Sequence, residues 1–175
     1  VLRAVQALDG SGDQNNSVIL GDGQNDGVTR IYVGEVSTGQ ISEFTWSGLA
    51  WSAAVIIGQS TDAVGNRNIH NMGFGSGRND NFNRIYACSS GGSLLEISYV
   101  GGGLWNQTSV GTSHGECTHA TVGNGRNDGI NRVYASRGNG LYEYTWNATG
   151  WDEIHIGDVA AGIAHGIFVG PGRND

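Results

Sequence analysis

Short runs of β-branched and aromatic residues, separated by glycine, asparagine and serine, make up most of the chain. No run is long enough for a typical helix, and residues of these types suit strands. The runs recur in groups of four. In each group strand A ends at a Gly-x-Gly segment, strand B begins with Arg-[Ile/Val]-Tyr, strand C is centred on a glutamate and strand D is opened by a tryptophan. The pattern therefore predicts an all-β protein.

The segment Gly-x-Gly-[Arg/Gln]-Asn-Asp sets the length of the repeat. It occurs four times, with its asparagine at Asn25, Asn79, Asn127 and Asn174, so the spacings are 54, 48 and 47 residues. Four short strands in a tandem repeat of roughly 45 residues are typical of a β-propeller blade. We therefore predict a β-propeller of four-stranded antiparallel blades. A β-solenoid fits less well, because its coils are usually shorter.

The number of strands leaves the predicted propeller incomplete. Residues 1–10 hold a lone strand D and residues 164–175 a lone strand A, with three complete sets between them. The complete repeats lie near residues 16–58, 69–111 and 118–157 of a single domain that covers 1–175. The total is about 3.5 blades, and an open ring would leave sheet faces wet and unpaired. We expect either a fragment of a longer repeat protein or a homodimer that closes a ring of about seven blades.

Composition and charge limit the partners. Glycine supplies 31 of the 175 residues, lysine is absent and the formal net charge is −7. A negative chain is a poor match for the phosphates of nucleic acid, and no apolar run approaches the roughly 18 residues of a transmembrane helix. We expect a protein that binds something neutral, with no nucleic-acid partner and no membrane partner.

The third repeat contains the strongest hairpin signal, Asn139-Gly140, because both central positions of a type I′ turn need positive φ. With these residues as the turn, positions whose numbers sum to 279 face each other, so Glu143 lies opposite Ser136. Side chains alternate along a strand, which places Arg132 on the same face as Glu143. The pattern predicts such a pair in every blade, followed by a tryptophan on strand D. The three sets are Arg30, Glu43 and Trp51; Arg84, Glu96 and Trp105; and Arg132, Glu143 and Trp151.

An arginine, a glutamate and a tryptophan together suit a neutral sugar. A guanidinium donates to ring and hydroxyl oxygens, a carboxylate accepts from two hydroxyls, and an indole covers the apolar C–H side of the ring. The residues alone also allow a structural interpretation, in which a cross-strand ion pair holds each sheet and the tryptophan packs between blades. A repeat domain without a small ligand therefore stays open at this point.

The order of these residues resembles the blade motif of the fungal and bacterial fucose-binding lectins, of the Aleuria aurantia and Ralstonia type. The resemblance covers strands B to D, about half of the chain. It implies that each Arg-Glu-Trp set binds glycans between adjacent blades without catalysis, and that several short chains build one propeller. Two features depart from the motif. The Gly-x-Gly-Arg-Asn-Asp loop is similar to loops of integrin-type (FG-GAP or VCBS) propellers, and Tyr99 stands where the other repeats have Trp46 and Trp146.

Two candidate metal sites accompany this interpretation. One histidine recurs near the start of each inner strand, at His70, His119 and His165. An axial ring of imidazoles would indicate a metal-dependent lyase or oxygenase, whereas the structural alternative is a bond from each histidine to a neighbouring loop. The Asn-Asp loop offers oxygen ligands for Ca²⁺, but Asn and Asp also form turns by bonding their own backbone. We predict no cofactor and no enzymatic activity.

A shorter stretch, Asp9–Asn15, is similar to the start of an EF-hand calcium loop. It has Gln14 where such a loop needs glycine and Leu20 where it needs glutamate. The sequence also leaves the state of the two cysteines open. Cys88 and Cys117 are expected at the same side of the propeller, where they form either a disulfide or two buried thiols.

The expected location is secreted or extracellular. The chain begins with valine and shows no signal peptide, so we expect a processed or trimmed form. Sequons that permit glycosylation stand at Asn15, Asn106 and Asn147.

Overall fold

Twelve β-strands and no helix are found in the residues that the structure, a computed structural model, describes: 15–63, 67–159 and 166–170. The all-β prediction is therefore confirmed. The strands are β1 (Asn15–Gly21), β2 (Arg30–Glu35), β3 (Gln40–Phe44), β4 (Val55–Gln59), β5 (Ile69–Gly75), β6 (Arg84–Ser89), β7 (Leu94–Gly101), β8 (Leu104–Ser109), β9 (Cys117–Gly123), β10 (Arg132–Arg137), β11 (Gly140–Trp146) and β12 (Trp151–Asp158). None of the described residues belongs to a helix of the length and apolarity that a membrane crossing requires.

The strands form three antiparallel four-stranded sheets, each an up-and-down meander in chain order. We call β1 to β4 the first sheet, β5 to β8 the second sheet and β9 to β12 the third sheet. Each sheet contains strands A to D of one predicted repeat. The predicted lone strand within 1–10 lies outside the described residues, and the described part of the other, 166–170, has no regular strand.

The sheets pack face to face, and two apolar cores lie between them. The second sheet is covered on both sides. Successive residues of β6 and β7 point to opposite faces, so these strands contribute side chains to both cores. The core between the first and second sheets contains Tyr32, Ile41, Ile57, Ile69, Met72, Ile85, Ala87, Leu95 and Ile97. The core between the second and third sheets contains Tyr86, Cys88, Leu94, Val110, Cys117, Ala120, Val133, Ala135 and Tyr144. The initial strands adjoin one another, with β5 in contact with both β1 and β9.

The glycines of the Gly-x-Gly segment are required because side chains fill the space of their missing Cβ atoms. A Cβ on Gly77 would lie 2.6 Å from the hydroxyl oxygen of Tyr86. The same distance to the tyrosine of the same sheet is found at Gly23 and Gly125. A Cβ on the first glycine of the segment, Gly75, would lie 3.1 Å from the side chain of Val122 in the next sheet. Packing within and between sheets therefore requires glycine at these repeated positions.

A disulfide joins the second and third sheets. Cys88 in β6 and Cys117 in β9 are bonded, with their Cα atoms 4.9 Å apart. Of the two states that the sequence left open, the structure has the disulfide.

The hairpin of the third sheet has a different register from the predicted one. Tyr134 lies opposite Glu143, and Ser136 lies opposite Leu141. The predicted pairing is wrong because the turn is Gly138-Asn139, in which the first residue has φ of +57°, as a type II′ turn requires. The shift is by two residues, so every side chain keeps its predicted face.

Candidate functional site

Each arginine of the Arg-[Ile/Val]-Tyr segment is bound by the aspartate four residues before it. Arg132 donates from Nη1 to Asp128 Oδ1 at 2.9 Å and from Nη2 to Asp128 Oδ2 at 2.7 Å. The same two-pronged pair joins Arg84 to Asp80, and its hydrogen bonds lower the pKa of Asp80 to about 2. The third such pair is Arg30 with Asp26. The Asn-Asp loop therefore supplies the arginine with a partner that the sequence interpretation did not include.

Each glutamate of strand C binds the fourth residue of the Gly-x-Gly-[Arg/Gln]-Asn-Asp loop. Arg126 donates from Nε and Nη2 to the two carboxylate oxygens of Glu143, at 3.0 and 2.6 Å. Arg78 makes the same contact with Glu96, whose Oε2 also accepts from the hydroxyl of Tyr86 at 3.1 Å. In the first sheet the residue is Gln24, which donates to Glu43 Oε1 at 2.8 Å.

The predicted arginine–glutamate pairs do share a face. Arg132 Nε lies 3.5 Å from Glu143 Oε1, and the equivalent separations are 3.7 Å for Arg30–Glu43 and 3.9 Å for Arg84–Glu96. These side chains are buried or nearly so, and each is already held by a loop residue. Their hydrogen-bonding capacity is therefore directed mainly at the protein.

The tryptophans lie where one sheet meets the next. Trp105 packs edge-on against Tyr32 of the preceding sheet, with ring centroids 6.2 Å apart. Trp151 packs in the same way on Tyr86, at 6.0 Å. Trp51 lies in the first sheet, before β4, and pairs with Trp46 at 5.3 Å. Two of the three tryptophans, Trp105 and Trp151, therefore pack between sheets, as the structural interpretation of the sequence expected.

A solvent-open cavity of about 270 Å³ lies between the second and third sheets. The Arg78 guanidinium carbon stands 3.8 Å above the ring centroid of Trp146 and 6.0 Å from that of Trp151. Thr108 and Ser109, which carry hydroxyl groups, line the same cavity. The complete lining is Arg78, Thr108, Ser109, Gly111, Trp146, Thr149, Gly150 and Trp151. A fixed cation, two indoles and several hydroxyl groups thus meet at one opening.

The equivalent position between the first and second sheets has different chemistry. Gln24 replaces Arg78, and Tyr99 replaces Trp146 beside the retained Trp105. The guanidinium that stacks on an indole is consequently missing from that loop position. The two clefts between described sheets are therefore related by position but unlike in charge.

Sequence reasoning missed the loop residues that hold the glutamates, namely Gln24, Arg78 and Arg126. The signal was present, because they occupy the variable fourth position of the repeated Gly-x-Gly segment. Only the folded loop shows that this position reaches strand C. Of the nine predicted sugar-binding residues, Trp151 lines the cavity and Glu96 holds Arg78 there.

The candidate metal ligands are not assembled into a site within the described residues. His70 Nδ1 lies 3.4 Å from Glu116 Oε1, and His119 lies opposite Ser136 in the third sheet. His165 is outside the described residues, as is Asp9–Gln14 of the EF-hand-like stretch. The described chain has no cluster of three His, Cys, Asp or Glu side chains suited to a metal ion.

No protein family, no curated protein and no solved structure matches the chain. The resemblance to fucose-binding lectins therefore depends on the repeated residues alone.

Proposed function

We propose that this chain belongs to a carbohydrate-binding β-propeller without catalytic activity, secreted or extracellular, with a glycan as its ligand. Support for the propeller comes from the arrangement of the three meander sheets, whose first strands adjoin while their faces pack in series. In a propeller the first strand of each blade lies nearest the axis. The repeat of about 50 residues per sheet agrees with that architecture.

The cavity at Arg78, Trp146 and Trp151 carries the proposal of sugar binding. An indole edge and face offer the flat apolar surface that a pyranose ring covers with its C–H groups, and the guanidinium offers donors at the rim. Glu96 fixes the guanidinium from behind, so little side-chain entropy is lost on binding. A neutral, hydroxyl-rich ligand also agrees with the net charge of −7.

In this proposal the sugar contacts Arg78 in place of the strand arginine and glutamate that the lectin resemblance implied. Arg84 and Glu96 stabilise the loop that carries Arg78, and Arg78 takes the position of donor to the sugar. Trp151 keeps the role that the resemblance gave it. Several such sites in one assembly would bind a multivalent glycan far more tightly than one site does.

The experiment is a titration of the protein with fucosides, mannosides and galactosides, repeated on Arg78→Gln. Glutamine at this position keeps the bond to the glutamate, as Gln24 shows in the first sheet. The variant should therefore fold normally and lose the guanidinium. Because a hydrogen bond from a charged group contributes about 1.5–3 kcal/mol, binding at this cavity should weaken by about tenfold or more.

Phe82→Ser is the matched control, because Phe82 is exposed in the same loop and does not line the cavity. Trp146→Ala should abolish binding at this cavity, while Phe82→Ser leaves it unchanged. If the unaltered protein binds none of these sugars at millimolar concentration, the carbohydrate proposal is wrong and a scaffold without a small ligand remains.

A further inference from the structure

The outward faces of the first and third sheets carry apolar residues that are buried at the two internal contacts. Met72 of β5 is 3% exposed, whereas Val18 at the equivalent position of β1 is 58% exposed. On the last strands, Ile57 is 5% exposed and its equivalent Ile156 is 51% exposed. The outward faces of the first and third sheets therefore match the two partners of each internal contact between neighbouring sheets.

The same two ends carry the two halves of the aromatic cavity. Arg126 grips Glu143 as Arg78 grips Glu96, but the side chain of Arg126 is 50% exposed and that of Arg78 22%. At the opposite end, Trp46 and Trp51 form the same indole pair as Trp146 and Trp151, with the same centroid distance of 5.3 Å. Within the described residues, no indole of a following sheet faces Arg126, and no arginine of a preceding sheet faces the Trp46–Trp51 pair.

A polar clasp between loops shows the same complementarity. Asn79 accepts from the backbone N–H of Asn131 in the next sheet at 2.7 Å and donates to its carbonyl at 2.8 Å. Asn127 is the equivalent of Asn79 and shares its positive φ, +55°. In the first sheet, Thr29 holds the backbone position equivalent to Asn131, directly before the arginine.

We propose that a second copy of this chain packs its first sheet head to tail on the third sheet, and that the contact completes a binding site shared between copies. Arg126 of one copy then stands over Trp46 of the other, as Arg78 stands over Trp146. The Asn127 amide clasps the Thr29 backbone, and Val18 and Ile156 are buried. The assembly does not depend on the ligand, whereas sugar binding at the shared site rests on the proposed function.

Residues 166–170 bear directly on this contact. A Cβ on Gly123 would lie 2.7 Å from Val169, just as a Cβ on Gly21 would meet Phe74. Val169 thus stands where the first strand of a following sheet places its side chain. The incoming β1 must displace this segment, so the segment weakens association.

Sedimentation equilibrium over a range of protein concentrations tests the assembly. The unaltered chain should associate, and Leu20→Glu and Ile156→Glu should each raise the dissociation constant by more than about tenfold, because each buries an unpaired carboxylate. Val100→Glu is the control, since Val100 is 62% exposed on the second sheet, away from both end faces. Val169→Asp should strengthen association by releasing the competing segment.

Mixing the two disabled variants distinguishes head-to-tail from symmetric pairing. The intact first sheet of Ile156→Glu and the intact third sheet of Leu20→Glu can still meet, so the mixture should associate although neither variant does alone. A mixture that stays monomeric, an unaltered chain that is monomeric throughout, or a Leu20→Glu variant that associates normally would each overturn the proposal. A monomer would indicate that other sheets, not a second copy, cover these faces.

Sugar titration then distinguishes a failure of the carbohydrate proposal from a failure of the shared-site proposal. Trp46→Ala leaves the internal cavity unaltered, so bound sugar per chain should fall by about half while each internal site keeps its affinity. An assembled protein that binds no sugar would reject the carbohydrate proposal and keep the assembly. An assembled protein whose sugar binding is indifferent to Trp46→Ala would reject the shared site.

Discussion

Asn25 of the first sheet clasps the peptide backbone of Asn83 in the second sheet: its Oδ1 accepts from the Asn83 N–H at 2.7 Å and its Nδ2 donates to the Asn83 carbonyl at 3.2 Å. Asn79 and Asn131 repeat the relationship one sheet further on. A side-chain amide offers an acceptor and a donor in one plane, which a backbone N–H and carbonyl of one residue can engage together. The asparagine of the repeat is therefore a connector between sheets, and its positive φ orients it for that contact.

Removing this clasp should destabilise the protein without straining the loop. Asn79→Gly accepts the φ of +59° and loses both hydrogen bonds, so the free energy of unfolding should fall by about 1–2 kcal/mol. Asn81→Gly is the control, because Asn81 has φ of +64° in the same loop and makes no such clasp within the described residues. Urea denaturation of both variants measures the difference, and equal losses would deny the clasp a role in stability.

Acid should weaken the fold through the loop aspartates. The Arg84 pair lowers the pKa of Asp80 from its usual 3.8 to about 2, and Arg132 lowers that of Asp128 to about 2. The unfolded chain therefore binds more protons between these values, and the stabilisation present above about pH 4 is lost as the pH falls towards 2. Denaturant titrations across this range should show a decline that Asp80→Asn reduces. Arg84→Gln should reduce the decline as Asp80→Asn does, because it removes the guanidinium that lowers the pKa of Asp80.

Reduction of the disulfide should loosen the second sheet from the third. Cys88 and Cys117 are 29 residues apart, and closing a loop of this size restricts the unfolded chain by about 3.6 kcal/mol in the chain-entropy view. Dithiothreitol should lower the free energy of unfolding by that order. The Cys88→Ser/Cys117→Ser variant should be weaker from the start and indifferent to reductant, so sensitivity of that variant would point to some other target.

Glu143 tests whether strand C carries a structural carboxylate or a sugar ligand. Its buried side chain binds Arg126 and Tyr134, so Glu143→Gln should cost about 1.5–3 kcal/mol of unfolding free energy, because hydrogen bonds to a charged acceptor are replaced by weaker ones. Sugar binding at the Arg78 cavity should persist. Glu35→Gln, at a partly exposed glutamate, should cost less than about 1 kcal/mol. Weaker sugar binding at the Arg78 cavity, at unchanged stability, would instead make the carboxylate a ligand.

Local pattern was sufficient for the strands and for the faces of their side chains. Four runs per repeat became four strands per sheet in the predicted order, since alternation and turn residues act over a few positions. The turn was predicted at Asn139-Gly140 but lies one residue earlier, at Gly138-Asn139. Asn139 has a glycine on each side, and either glycine can adopt the positive φ that a tight turn needs. The loop residues that bind Arg132 and Glu143, namely Asp128 and Arg126, were not predicted, because side-chain alternation says nothing about which loop residues a long side chain can reach.

The sequence by itself determined an all-β chain of repeated four-stranded units and placed Arg132 with Glu143 on one face, because strand pairing and side-chain alternation depend on neighbours along the chain. Only the tertiary structure decided that Arg78 stacks on Trp146, that Asn25 clasps Asn83, and that Cys88 bonds Cys117. These contacts join different sheets, and their geometry depends on how two sheet faces pack together, which no spacing within one repeat specifies.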